Sequence, residues 1–141
     1  MKNTIILLTM LLFSGIGFAQ ESNNGKQLWA KSFLNEKAPE LTVETWISKK
    51  PDTEGKFVII DFWATWCGPC RKAIPELNEI AKEFSKDVVV IGISDEPVEK
   101  IKAMKEPVIE YYYGVDTKKT MDKILEIKGI PHVIIIDPKG I

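Results

Sequence analysis

The chain has 141 residues, 45% of them hydrophobic, with 19 basic against 20 acidic side chains. That is enough apolar material for one domain with a single core, and the near-zero charge offers nucleic acid nothing to bind.

The N-terminus reads as an export signal. Lys2 precedes a run from Ile5 to Phe18 that is apolar apart from Thr9, Ser14 and two glycines, and Gly17-Phe18-Ala19 places small residues where a signal peptidase cuts. Cleavage after Ala19 removes only Lys2 from the charge count, leaving 18 basic against 20 acidic residues. The run falls short of the ~20 residues that span a bilayer, with an uncleaved membrane anchor as the alternative. No cysteine follows the cut, so no lipid anchor is expected. The expected organisation is a signal peptide over 1–19, a polar leader over 20–37 and one domain over 38–141.

In the leader, Leu28, Trp29, Phe33 and Leu34 have the spacing of one helical face, which would dock on the domain. Leu41, Val43 and Trp46 alternate as in a short strand, and a turn cluster over 49–55 follows. Phe57 to Phe62 is continuously apolar except for Asp61, which predicts a strand covered on both faces. An isolated buried carboxylate is costly and tends to take up a proton, so Asp61 needs a reason. A hydrogen-bonded or hydrated strand end is the plain one.

The run ends in Trp66-Cys67-Gly68-Pro69-Cys70, which holds the only two cysteines of the chain. From Cys70 onward Ala73, Ile74, Leu77, Ile80, Ala81 and Phe84 recur at helical intervals, with Pro75 inside the pattern. The proline is expected to kink this helix without ending it. A cysteine at a helix entrance faces unpaired N–H groups and the positive end of the helix dipole, and both favour thiolate over thiol. Cys67 would be the nucleophile, and Cys70, one turn in, would resolve what Cys67 attaches to. Two plainer readings compete. As a staple the pair closes so short a loop that it would contribute only ~2 kcal/mol, and as a zinc site it lacks a second ligand pair.

Asp87 to Ser94 predicts a second buried strand, parallel to the first because a helix joins them. Residues 96–105 read as a helix with Val98, Ile101 and Met104 inward, stopped at Pro107. Tyr111-Tyr112-Tyr113 reads as an edge strand or an exposed aromatic surface. Asp116 or Thr117 is placed to cap a helix carrying Met121, Ile124 and Leu125. Gly129 to Ile136 is the last run read as buried. Pro131 belongs at its first residue, because proline cannot donate to a ladder. Asp137-Pro138-Lys139-Gly140 is a turn.

Trp66-Cys67-Gly68-Pro69-Cys70, with Asp61-Phe62-Trp63 upstream and Gly129-Ile130-Pro131 downstream, resembles a thioredoxin-fold protein. The longer reach from Ala38-Pro39-Glu40-Leu41 to Asp137-Pro138-Lys139-Gly140 resembles the TlpA/ResA-like thiol-disulfide oxidoreductases of bacterial envelopes. The resemblance implies an α/β, thioredoxin-like fold with a central mixed sheet flanked by helices. It also implies a proton-accepting role for Asp61 toward Cys70, a cis bond before Pro131, and a substrate-binding rim of Trp66, Gly68, Pro69, Ile130 and Pro131. Such domains close with one more strand and helix, so the domain over 38–141 is expected to be C-terminally incomplete and weakly stable. Where many cytochrome-maturation members have a glutamate three residues after the second cysteine, this chain has Ala73.

The resemblance also sets His132, the only histidine, beside the cysteines. It is read as a bland loop residue, as an electrostatic modulator of Cys67, or as a third copper ligand. The expected function is reduction of disulfides in exported proteins at the periplasm or cell envelope. The reaction needs no metal and no cofactor beyond the Cys67–Cys70 disulfide. Its partners are disulfide-bearing proteins and a membrane or envelope electron donor. The alternatives are a peroxiredoxin-like peroxidase and a copper(I) carrier using Cys67, Cys70 and His132.

Overall fold

A computed structural model describes residues 28–141. The expected signal peptide and the first part of the leader lie outside the described residues. Five strands form one mixed sheet: β1 (Thr45–Trp46), β2 (Phe57–Phe62), β3 (Val88–Ser94), β4 (Tyr112–Val115) and β5 (His132–Ile136). Three helices accompany them: α1 (Gly68–Glu83), α2 (Val98–Ala103) and α3 (Thr120–Leu125). The sheet order is β1-β4-β3-β2-β5, with β2, β3 and β4 parallel and both outer strands antiparallel to their neighbours. This is the thioredoxin-like fold that the sequence implied.

The continuous apolar runs became the central strands because both sheet faces are covered. On one face Ile59, Trp63, Val88 and Val90 pack with Ile74 and Leu77 of α1. On the other, Val58, Ile60, Phe62, Val89, Ile91 and Ile93 pack with Met121 and Leu125 of α3. Each large side chain so buried contributes about 1.5–3 kcal/mol, which makes β2 and β3 the frame that holds the cysteine turn. Helix α1 runs through Pro75 to Glu83, with the proline on its exposed side.

Several expectations need correction. The leader over 28–37 is not helical; Leu28, Trp29 and Leu34 are exposed, and only Phe33 packs on the core. It docks through its backbone instead, with Lys31 N–H donating to Leu125 O and Lys128 N–H to Trp29 O. The first strand is only Thr45–Trp46 long, and Gly114 opposite explains how it fits: a Cβ there would lie 2.6 Å from Val43 Cγ1 and 2.7 Å from Thr45 O. That strand covers β4, so the tyrosine segment is neither an edge nor an exposed surface. Tyr111 is buried and Tyr112 and Tyr113 are half-buried.

Helix α2 is shorter than expected and leaves Glu96 outside it. Phe84 and Ile124, read as inward, are largely exposed at 47% and 38%. The last strand, β5, is the edge next to β2, so it alternates instead of being buried throughout. His132, Ile134 and Ile136 are half-buried, whereas Val133 and Ile135 are exposed. Asp116 does serve α3, accepting a hydrogen bond from Met121 N–H at 2.8 Å.

Candidate active site

Cys67 is the N-cap of α1, in extended conformation, and its sulfur accepts the N–H of Cys70 at 3.2 Å. Pro69 in the first turn gives up an N–H that has no helical partner there, so the sequence Cys-Gly-Pro-Cys starts a helix readily. The two sulfurs are bonded at 2.04 Å. Cys67 is 4% exposed and Cys70 fully buried, while Trp66, Gly68 and Pro69 between and before them stand in solvent. Only the outer sulfur is therefore within reach of another polypeptide, and it is the one that the helix terminus favours as an anion.

The loop leading into Cys67 is fixed from a side that sequence reading missed. Glu96, 5% exposed, accepts the N–H of Thr65 at 2.5 Å and its hydroxyl at 2.9 Å, and pairs with Lys100 at 2.6 Å. Burial works to raise the Glu96 pKa, but the bonds from Lys100 and Thr65 outweigh it and hold the carboxyl below its usual range. The signal was present as an acidic residue just after a buried strand, but it read as the polar face of a helix.

Asp61 lies on β2 between Ile59 and Trp63, and strand alternation directs all three to the face covered by α1 and the cysteines. It is 1% exposed, and neither carboxylate oxygen has a hydrogen-bond partner in the structure. Burial pushes its pKa up to about 6. A carboxyl in that condition can take a proton from a neighbouring thiol at neutral pH.

The Ile130–Pro131 bond is cis. Ile130 packs against the cluster that contains both cysteines, and with Gly129, Trp63 and Trp66 it lines a groove beside them. Of the five expected rim residues, Trp66 and Ile130 line this groove, and Pro131 precedes β5 at the end where Phe62 closes β2. His132 is not drawn to the sulfurs. It pairs in register with Phe62, its ring centroid 6.4 Å from that ring, and so shares the face opposite Cys67 and Cys70. Burial lowers its pKa, with Asp122 acting the other way. Among the described residues, no group of three or more His, Cys, Asp or Glu is arranged to hold a metal ion.

Residues 34–141 match the model of the AhpC/TSA family. The chain belongs to that family. Its relatives confirm the expected likeness to TlpA/ResA-like proteins. It is 26% identical over 109 residues to the thiol-disulfide oxidoreductase ResA of Bacillus subtilis, covering 73% of this chain and 61% of ResA. It is 27% identical over 113 residues to the thioredoxin-like protein YneN of the same organism, covering 75% of this chain and 66% of YneN. The match thus spans a little under two thirds of either relative. Among solved structures, a candidate protein disulfide isomerase of Bacteroides thetaiotaomicron superimposes with a TM-score of 0.66 at 33% identity, over 74% of this chain and 72% of that one.

Proposed function

We propose that this chain is a thiol-disulfide oxidoreductase that reduces disulfides in exported proteins. The observation that carries the reading is the Cys67 sulfur capping α1 while bonded to Cys70 one turn away. In the reduced form the Cys67 thiolate attacks a substrate disulfide. One substrate sulfur leaves and takes up a proton, and Cys67 is joined to the other in a mixed disulfide. Cys70 then gives its proton to Asp61 and attacks the Cys67 sulfur. The second substrate thiol leaves, and the Cys67–Cys70 bond forms. Two electrons pass to the substrate, and a dithiol donor at the membrane or envelope restores the pair. The exchange needs no cofactor beyond the disulfide itself.

Ile130 on its cis-proline loop supplies backbone for a substrate strand, a mode that gives affinity with little side-chain choice. The exported location rests on the residues 1–19 pattern and on the chemistry. Outside the cytosol dithiols are driven to disulfides, so a chain with a single pair finds its substrates there.

A peroxidase reading is disfavoured by spacing: a peroxidatic pattern has threonine three residues before its cysteine, whereas Thr65 stands two before Cys67 and its hydroxyl donates to Glu96. Catalysis of insulin reduction by dithiothreitol tests the proposal. Cys67→Ser abolishes it on this reading, and retention of activity by that variant refutes the reading.

A further inference from the structure

Tyr111 is a buried group that the exchange reaction does not yet use. It is 4% exposed, packs in the same cluster as Trp63, Cys67 and Cys70, and its hydroxyl has no hydrogen-bond partner in the structure. Two features of the chain bring it there. Helix α1 itself holds the preceding loop: Arg71 donates to Glu106 O at 2.7 Å, and Asn78 donates to Val108 O at 2.9 Å while accepting Glu110 N–H at 2.8 Å. The register partner of Asp61 on β3 is Gly92, which leaves an open place on that face of the sheet. A Cβ there would stand 3.0 Å from Tyr111 Cε2 and 3.1 Å from Trp63 Nε1, so both rings occupy the room a side chain would take.

The result is a set of buried polar groups on the sheet face that α1 covers. It comprises the two unpartnered oxygens of Asp61, the unpartnered phenol of Tyr111 and the unpartnered indole N–H of Trp63. Three unrelated buried polar groups, all lacking partners and all crowded round one glycine, are costly unless they satisfy one another or share a water. The phenol pKa is driven up by burial and then by the charge of Asp61, so the phenol stays a donor throughout.

We infer that the Tyr111 hydroxyl donates to the Asp61 carboxylate through one buried water, and so positions that acid to receive the Cys70 proton. The inference rests on the proposed exchange reaction and assigns Tyr111 as a positioning residue within it. Its effect is on the pH at which Asp61 can act. A hydrogen bond to the charged form favours that form, so Tyr111 works against the burial that raises the Asp61 pKa. Tyr111, from the segment before β4, feels the charge of Asp61, and Cys67 and Cys70 of the α1 turn pack in the cluster of its strand neighbours Ile59 and Trp63. The facing positions of β3 and β5, Gly92 and Val133, contribute none, and His132 is on the opposite face.

The test is infrared titration of the Asp61 carboxyl in the reduced full chain, with Asp61→Asn locating the band, beside the pH profile of the Cys70 step. Tyr111→Phe keeps the ring and removes only the donor. Both the Asp61 midpoint and the acid limb of the Cys70 step are expected to move up by about one pH unit. Incorporating 3-fluorotyrosine, a stronger donor, is expected to move them down, and it reads the same contact should the phenylalanine variant fold poorly. Midpoints unchanged by both substitutions overturn the inference. If Asp61→Asn leaves the Cys70 profile as it was, the acid role falls, although the band shifts still decide whether Tyr111 meets Asp61. If Cys67→Ser retains turnover, the exchange reading falls on its own account.

Discussion

The carboxylate of Glu96 holds Thr65 by both its amide and its hydroxyl, at 2.5 and 2.9 Å, two residues before Cys67. This buried clamp ties the β3–α2 connection to the turn that presents the sulfur. Glu96→Ala leaves the Thr65 donors without a buried acceptor and is expected to cost about 1–3 kcal/mol. Because the folded carboxyl titrates below its unfolded value, its contribution is complete above the ordinary glutamate range and is lost as pH falls through the folded pKa. Urea unfolding of parent and Glu96→Gln across pH checks this, and the two curves are expected to converge in acid.

Asp61 makes the opposite prediction. Its pKa is raised to about 6, so the folded state binds a proton more tightly than the unfolded chain does. Stability therefore falls as pH rises from about 4 to about 6 and is level above that. Asp61→Asn is expected to be more stable than the parent at pH 7 by roughly 1–3 kcal/mol, with the difference gone below about pH 4. Thermal unfolding at the two pH values reads it directly.

The two crowded glycines rank against each other. A methyl at Gly92 meets side-chain atoms at 3.0 and 3.1 Å, whereas one at Gly114 meets the Thr45 carbonyl at 2.7 Å as well as Val43 at 2.6 Å. Rings can tilt, but a paired backbone cannot step aside. Gly92→Ala is expected to cost about 1–3 kcal/mol and Gly114→Ala more, with loss of β1 pairing. Denaturant midpoints of the two variants measure the order.

The parts of the fold that were legible in the sequence are those whose signal is local. Phe57–Phe62, interrupted only by Asp61, and Val88–Ser94, polar only at its last residue, are apolar runs because the sheet is covered on both sides there, and the stripe from Ile74 to Leu77 follows one helix face. Cys67 at a helix start follows from the apolar run, the turn and the stripe taken together. What escaped depends on pairing between distant segments. Tyr111, Tyr112 and Tyr113 carry no pattern that says which one turns inward, and only the two-residue strand β1 makes β4 an interior strand. The side taken by His132 is fixed by antiparallel register with Phe62, so its distance in sequence from Pro131 was a poor guide to its distance from the sulfurs. Glu96 looked like a solvated helix residue because the polypeptide that buries it lies 31 positions away.

The most direct test is the rate of alkylation of the reduced protein by iodoacetamide as a function of pH, with Cys67 and Cys70 resolved by peptide mass. A sulfur capping a helix should react as a thiolate well below the ~8.5 of a free cysteine. We expect Cys67 to reach half its maximal rate at least one unit lower, about pH 7.5 or below, while buried Cys70 stays unmodified. A Cys67 profile that rises only near 8.5, or labelling of Cys70 ahead of it, would contradict the proposal that this helix terminus makes the reactive sulfur.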